Sequence, residues 1–243
     1  MQLVLLRTFV LLLVVADMSV FAKSSRVAVT GGKKLLRIIV SQNRNGNSRK
    51  IMGEFTAAMQ AKAGENPWTV VDRDVSANGT PIPHLSEEEG EAGRTALEDL
   101  TEAQKKTFAL ASELTDELFD AQHVIIATPM HNWGPPSALK AWFDRVINQR
   151  TFYSRAEQLT NVPITIIISS GGPYSTLERI RSMDHLRPWL KFVLPHGLGA
   201  TPENIKFINC DPTGRNAEDG WAHARKMFPE ALNYPGDSVA SEL

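Results

Sequence analysis

Three polar loops, each following an apolar run, contain the residues of this chain that are best suited to chemistry. They read SQNRNGNS (41–48), TPMHNWGPP (128–136) and SSGGPYS (169–175). The first loop combines hydroxyl and carboxamide side chains with a glycine and leads into a segment with helical periodicity. Backbone N–H groups and the positive end of a helix dipole favour a phosphate at such a place. The same residues also make a good turn and helix cap, so this loop alone leaves both interpretations open.

The other two loops suit a flat heteroaromatic ring. Met130 and Trp133 offer polarisable surfaces, and Asn132 presents both a hydrogen-bond donor and an acceptor. Gly171 and Gly172 let the backbone approach a ring closely. Neither a Walker A motif nor a G-x-G-x-x-G dinucleotide fingerprint occurs in the first loop. A phosphate-binding loop beside two ring-binding loops therefore predicts a bound mononucleotide.

Alternating strands and helices must position these loops. The predicted strands are 35–42, 67–75, 123–129, 162–170 and 204–210, and the predicted helices are 48–64, 101–121, 136–148, 175–194 (irregular) and 217–232. Nearly continuous apolar strands that alternate with amphipathic helices indicate an α/β fold, with a parallel sheet covered on both faces. Such a sheet binds its ligand beyond the carboxyl ends of its strands, which is where all three loops lie.

The segment ATPMHNWGPPSALKAWFDRV (127–146), with SSGG and with DRDVSANGTPIPHLS (72–86), resembles the FMN-dependent NADH-azoreductases, a family of quinone reductases. The resemblance extends from about residue 35 to residue 232. It implies a flavodoxin-like, doubly wound, five-stranded parallel sheet in the order 2-1-3-4-5, with helices on both faces. It also implies non-covalently bound FMN and a homodimer. Electrons would pass from NADH or NADPH to quinones or azo compounds by a ping-pong mechanism.

The same resemblance implies which residues bind the cofactor. The phosphate would be held by Ser41, Asn47 and Ser48. The ring would lie against Met130, His131, Asn132 and Trp133 and against the loop formed by Ser169, Ser170, Gly171 and Gly172. Bacterial members commonly have Tyr, Phe and Arg where this chain has His131, Trp133 and Ser170, and the first loop is about one residue shorter here. These departures leave the preference for donor and acceptor open.

His131 and Asn132 are the predicted catalytic residues. Hydrogen-bond donors of Asn132 and of the Gly171-Gly172 backbone are expected to stabilise negative charge on the reduced ring. An imidazole suits proton donation at neutral pH, and water is the alternative proton source. The competing classes are an electron-carrier flavodoxin and a non-catalytic flavodoxin-like binding module. A carrier needs an acidic docking face, whereas the net charge here is −1 and Pro135-Pro136 stiffens the second loop.

Composition argues against several other functions. A net charge of −1 gives no reason to expect a nucleic-acid partner, and the histidines show no ligand spacing, so no metal is predicted. Cys210, the one cysteine, is predicted to be a small core residue. The acidic run at 87–89 is interpreted as a solvated hinge loop.

The two ends of the chain are interpreted as extensions of a 35–232 domain. Residues 1–34 combine an apolar block, too short for a membrane span, with a basic segment, which is typical of a secretory, plastid or mitochondrial leader. The alternative is a retained start in a cytoplasmic protein. No stable membrane span is predicted for the mature protein, and residues 233–243 are predicted to be a flexible tail.

Overall fold

The structure, a computed structural model, describes residues 32–234. In this part of the chain five parallel strands form one sheet in the order β2-β1-β3-β4-β5. The strands are β1 (Lys34–Ile39), β2 (Thr69–Asp74), β3 (His123–Pro129), β4 (Ile164–Ser169) and β5 (Ile205–Cys210). The α-helices are α1 (Asn47–Ala63), α2 (Glu87–Ala92), α3 (Glu102–Asp120), α4 (Ser137–Val146), α5 (Glu178–Arg181), α6 (Leu186–Leu198), α7 (Ala217–Arg225) and α8 (Phe228–Ala231). The predicted fold class and strand order are confirmed.

Strand periodicity divides the core between the two faces of the sheet. On β1, Leu36 and Ile38 belong to one buried apolar cluster with residues of α3, α4 and α6, whereas Leu35 and Ile39 belong to a second cluster with residues of α1 and the C-terminal helices. The two sets of side chains alternate because successive residues of a strand point to opposite faces. Within residues 32–234, coverage is lowest at the outer strand β2, whose first four residues are exposed.

Two predicted helices are each divided in the structure. The predicted helix 175–194 is instead the short α5 followed by α6, which continues to Leu198. The carboxylate of Asp184 accepts hydrogen bonds from the N–H groups of Leu186 and Arg187, so a new helix begins there. The predicted helix 217–232 is α7 and α8, and Pro229 lies in the first turn of α8.

The acidic run at 87–89 is a helix, so its interpretation as a hinge loop is wrong. Ser86 and Glu89 form a reciprocal capping box at the start of α2. Glu89 also pairs with the guanidinium group of Arg145, whose side chain is only 1% exposed on α4. The other end of this guanidinium donates to the carbonyl of Pro83 at 3.2 Å. Arg145 thus fixes the 83–89 segment to the helix that follows the second loop.

Replacing Glu89 with glutamine is expected to lower the free energy of unfolding by about 3 kcal/mol at pH 7, because it leaves a buried guanidinium without its counter-charge. Burial raises the pKa of Glu89, but hydrogen bonds from Arg145 and Ser86 outweigh it and lower the pKa below 4.5. The stabilisation is therefore complete above this value and is lost as the pH falls further. Denaturant titrations at pH 7 and pH 3 measure both effects. Glu87→Gln, an exposed position in the same turn, is the control, and an equal loss in both variants would contradict the pairing.

The folded domain extends slightly beyond the predicted range of 35–232 at both ends. Lys34, assigned to the leader, is the first residue of β1 and pairs with Thr69, while the rest of the predicted leader through residue 31 lies outside the described residues. Tyr234, assigned to the flexible tail, is buried, and its hydroxyl lies 2.6 Å from Thr165 Oγ1. Residues 235–243 lie outside the described part. Between residues 32 and 234, the structure contains no helix with the length and apolar character needed to cross a bilayer.

Candidate functional site

The three polar loops leave neighbouring strands at the carboxyl edge of the sheet. The backbone N–H of Val40 donates to Ala127 O at 3.0 Å, and that of Met130 donates to Ser169 O at 2.8 Å. Each loop is therefore fixed in register with its neighbour. The strand order reverses between β1 and β3, which is the position where doubly wound sheets form a ligand crevice.

The first loop ends in an uncapped helix start that fits a phosphate. Gly46 precedes α1 and contributes no capping side chain, so the first N–H groups of the helix have no partner from a cap. Ser48 in the first turn is fully buried, yet its Oγ has no hydrogen-bond partner among the described residues. Buried hydroxyls are nearly always hydrogen-bonded, so this orphaned group indicates a ligand. Ser41 Oγ faces Gly46 across the loop, where a Cβ at Gly46 would approach it to 2.5 Å.

Arg49 holds this loop in place. Its guanidinium donates to the carbonyl of Ser41 at 2.6 and 2.8 Å, to Asp74 Oδ2 at 2.8 Å and to Ser76 Oγ at 3.1 Å. Burial raises the pKa of Asp74, but the hydrogen bonds from Ser76 and Arg49 outweigh it and lower the pKa below its usual value. The loop after β1 is thereby tied to the end of β2 by a charged pair.

Asn47 has a structural contact that sequence analysis missed. Its Oδ1 accepts a hydrogen bond from the indole Nε1 of Trp221 on α7 at 2.9 Å. The side-chain oxygen of Asn47 therefore anchors α7. A phosphate at this helix start would meet the backbone N–H of Asn47, together with Ser41 and Ser48.

The second loop is a strained hairpin turn. His131 and Gly134 exchange backbone hydrogen bonds of 3.2 and 2.9 Å, and the two residues between them have positive φ, 45° at Asn132 and 65° at Trp133. This is the type I′ pattern, which favours Asn at its first central position but not a tryptophan at its second. Left-handed backbone at a residue with a Cβ costs roughly 1–2 kcal/mol. Trp133 is held there by a hydrogen bond from the N–H of His185 to its carbonyl (2.9 Å), and its side chain is 46% exposed.

The third loop is nearly closed off from solvent at its start. Ser169 and Ser170 are 7% and 5% exposed, and Ser170 Oγ donates to Gly172 O at 3.0 Å. Gly171 O accepts from the N–H of Gly214 at 3.0 Å, in the segment after β5. The third loop thus presents backbone and small side chains beside the larger side chains of the second loop, at the edge that both share with the first loop.

A fully buried carboxylate, that of Asp211, supports the third loop and was missed by sequence analysis. It accepts from the N–H of Ser175 at 2.9 Å, from the hydroxyl of Ser175 and, at 3.4 Å, from Ser170 Oγ and Arg187. Its position directly after the fifth predicted strand, at the same edge as the three loops, was the signal available. Ser175 Oγ also lies 3.4 Å from His223 Nε2. Because the serine lies between the carboxylate and the imidazole, this is not the order of a hydrolytic triad.

Cys210, just before Asp211, is buried as predicted. Burial and the charge of Asp211 raise the pKa of its thiol to about 12. The group therefore remains a protonated, unreactive thiol at neutral pH.

Comparison with known proteins identifies the family. A family model described as the flavodoxin-like fold matches residues 33–226. The FMN-dependent NADH:quinone oxidoreductase 2 of Cupriavidus pinatubonensis is 36% identical over 166 residues, which is 66% of this chain and 78% of that protein. The chain belongs to the flavodoxin-like NADH:quinone oxidoreductase family.

Other family members and solved structures agree with this assignment. The FMN-dependent NADH:quinone oxidoreductase of Pelagibacter ubique is 30% identical over 205 residues, covering 82% of this chain and all of that protein. An FMN-dependent NADH-azoreductase from Bacillus anthracis, solved in complex with FMN, has a TM-score of 0.65 at 20% identity and covers 82% of this chain and 98% of its own. At this identity the structural likeness supports the fold, and the sequence relatives support the family.

Proposed function

We propose that this protein is an FMN-dependent oxidoreductase that transfers electrons from NADH or NADPH to quinones or azo compounds. The observation that carries the proposal is the orphaned, buried Ser48 Oγ at an uncapped helix start. It lies on a scaffold whose relatives are FMN-dependent NADH:quinone oxidoreductases. Bound FMN would supply the hydride chemistry, and the protein would orient the ring and exclude water.

Residue roles follow from the position of each loop. Ser41, Ser48 and the N–H groups at the start of α1 are proposed to hold the phosphate. Met130, His131, Asn132 and Trp133 are proposed to line the ring on one side, and the 169–172 loop on the other. The fixed positive-φ conformation of Asn132 and Trp133 supports a preorganised ring-binding surface, since backbone strain concentrates at functional sites.

Cofactor content and its reduction test the proposed activity directly. The purified chain is expected to be yellow, to bleach with NADH under argon and to recover its colour when a quinone is added. A yellow protein that bleaches only with a protein reductase would be an electron carrier. A protein that neither retains nor takes up FMN would be a non-catalytic module, and either result would contradict the proposed activity.

His131 is proposed to donate a proton from its imidazole to an oxygen of the reduced quinone. His131→Gln is then expected to lower the rate of quinone reduction about 100-fold, while the rate at which NADH reduces the bound FMN stays unchanged. Stopped-flow measurements separate the two half-reactions. His84→Gln, at an exposed loop position, is the control. Unchanged quinone reduction in His131→Gln would assign the proton to water.

A homodimer and a cleaved leader remain predictions. The exposed aromatic side chains of Phe152, Tyr153 and Phe192 (40%, 51% and 62% exposed) support a homodimer, because they would be covered by a second copy. Sedimentation equilibrium measures the assembly state. The N-terminal residue of the mature protein tests the leader assigned to residues 1–34.

A further inference from the structure

Arg215 lies beside the third loop, in the segment that follows β5. This segment pairs with the third loop, because the N–H of Thr213 donates to Ser170 O at 3.0 Å and that of Gly214 donates to Gly171 O at 3.0 Å. Arg215 is the next residue, so its Cα lies about 3.8 Å from that of Gly214. The residue is therefore attached directly to the loop that is proposed to meet the flavin ring.

Two close backbone approaches fix the position of Arg215. A Cβ at Gly214 would lie 2.8 Å from Gly171 O, and a Cβ at Gly220, on α7, would lie 2.8 Å from Pro212 O. Both approaches require the absence of a side chain. The segment that contains Arg215 is thereby held between the third loop and α7.

The same helix also contacts the first loop. Trp221 of α7 donates its indole N–H to Asn47 Oδ1 at 2.9 Å. Trp221 is four residues from the start of α7, which is roughly 6 Å along a helix. Arg215 precedes that start by two residues, so it lies on the side of the site where α7 joins the first and third loops.

The charge of Arg215 is not neutralised within the described part of the chain. Its guanidinium is exposed and makes no hydrogen bond or ion pair with the residues from 32 to 234. Three carboxylates lie within four positions of it. Asp211 is fully buried, Glu218 pairs with Arg225 at 3.6 Å, and Asp219 is exposed. An unpaired cation at the edge of the proposed site is available to an anionic substrate.

The two substrates of the proposed reaction differ in charge. NADH carries a diphosphate and NADPH carries an additional 2′-phosphate, whereas a quinone is uncharged. A guanidinium group binds phosphate oxygens through two parallel N–H donors. We propose that Arg215 binds a phosphate group of the dinucleotide donor and does not contact the quinone. This inference rests on the proposed oxidoreductase activity and assigns donor binding to a residue outside the three loops.

Stopped-flow reduction of the FMN-loaded protein by NADH and by NADPH gives a dissociation constant for each donor and a limiting rate. Arg215→Gln should raise the dissociation constant at least tenfold, while the limiting rate and the rate of reoxidation by the quinone menadione stay unchanged. Arg215→Lys keeps the charge and should recover part of the affinity. Lys226→Gln, which removes an exposed charge at the far end of α7, is the matched control. An equal loss for both donors would assign the contact to the diphosphate, and a loss for NADPH alone would assign it to the 2′-phosphate.

ADP-ribose and its 2′-phosphate separate this inference from the proposed activity, because they carry the phosphate groups of the donors but no hydride. Calorimetric titration into the FMN-loaded protein should show at least one of them binding tenfold more weakly to Arg215→Gln. A wild-type protein that neither donor bleaches would contradict the activity, and these titrations would still decide the role of Arg215. Unchanged dissociation constants in Arg215→Gln, or an equal fall in the rate of reoxidation by menadione, would overturn the inference. A tenfold lower affinity for FMN in this variant would also overturn it, since Arg215 would then hold the phosphate of the cofactor.

Discussion

Replacing Gly46 with valine is expected to lower the affinity for FMN at least about 100-fold while leaving the fold intact. A Cβ at this position would lie 2.5 Å from Ser41 Oγ and 2.9 Å from Asn43 O, so the side chain would displace the Ser41 hydroxyl that is proposed to hold the phosphate and would shift the loop that leads into α1. Each charge-assisted hydrogen bond contributes about 1.5–3 kcal/mol, and the loss of two is sufficient for this change in affinity. The backbone is not the cause, because φ is −65° and ψ is 146°, a conformation that valine adopts readily.

Riboflavin, which lacks the phosphate, makes this experiment specific. The wild-type chain should bind FMN far more tightly than riboflavin, and Gly46→Val should remove most of that difference. Gly53→Val is the matched control, since a Cβ at this exposed position of α1 meets nothing within 4 Å. An equal loss of affinity for both flavins in Gly46→Val would show that the phosphate lies elsewhere. Fluorescence quenching of each flavin gives the dissociation constants.

The fold was predictable because its signals are local in the sequence. Runs such as VIIATP and ITIIIS are too short and too β-branched for buried helices, and their alternation with amphipathic segments leaves few topologies. The errors fall where a distant partner decides the local structure. The acidic run at 87–89 reads as solvated until Arg145 is seen to pair with Glu89 across 56 positions of sequence. The break between α5 and α6 depends on a cap by Asp184.

The loops of the candidate site were predictable for a different reason. In a parallel sheet every strand ends at the same edge, so the order of elements alone brings 41–48, 128–136 and 169–175 together. The sequence does not show which of two adjacent polar residues in a loop contacts another element and which is left for a ligand. Asn47 and Ser48 are adjacent and both polar, yet the oxygen of Asn47 is used by Trp221 and only the hydroxyl of Ser48 is orphaned. The supporting carboxylate of Asp211 directly follows β5, outside the pattern that the three loops suggested.

Replacing Asp211 with alanine is expected to lower the free energy of unfolding by about 3 kcal/mol and the melting temperature by about 10 °C. The change leaves the N–H of Ser175 without its acceptor and removes one of the two carboxylates that face the largely buried Arg187. The 170–175 loop loses its support, so we expect the affinities for FMN and riboflavin to fall together, by about tenfold. Thermal unfolding and flavin titration measure the two effects.

The losses of affinity for FMN and for riboflavin distinguish a residue that positions the ring from a residue that positions the phosphate-binding groups. Gly46→Val should discriminate between the two flavins, whereas Asp211→Ala should not, because the third loop is proposed to meet only the ring. Asp211→Asn keeps an oxygen acceptor for the N–H of Ser175 and should recover part of the flavin affinity, though not the charge facing Arg187. Glu203→Ala, exposed just before β5, is the control for a lost carboxylate. If Asp211→Ala lowers stability without changing either flavin affinity, Asp211 supports only the fold, and the third loop keeps its shape through Ser170 and the 212–214 segment alone.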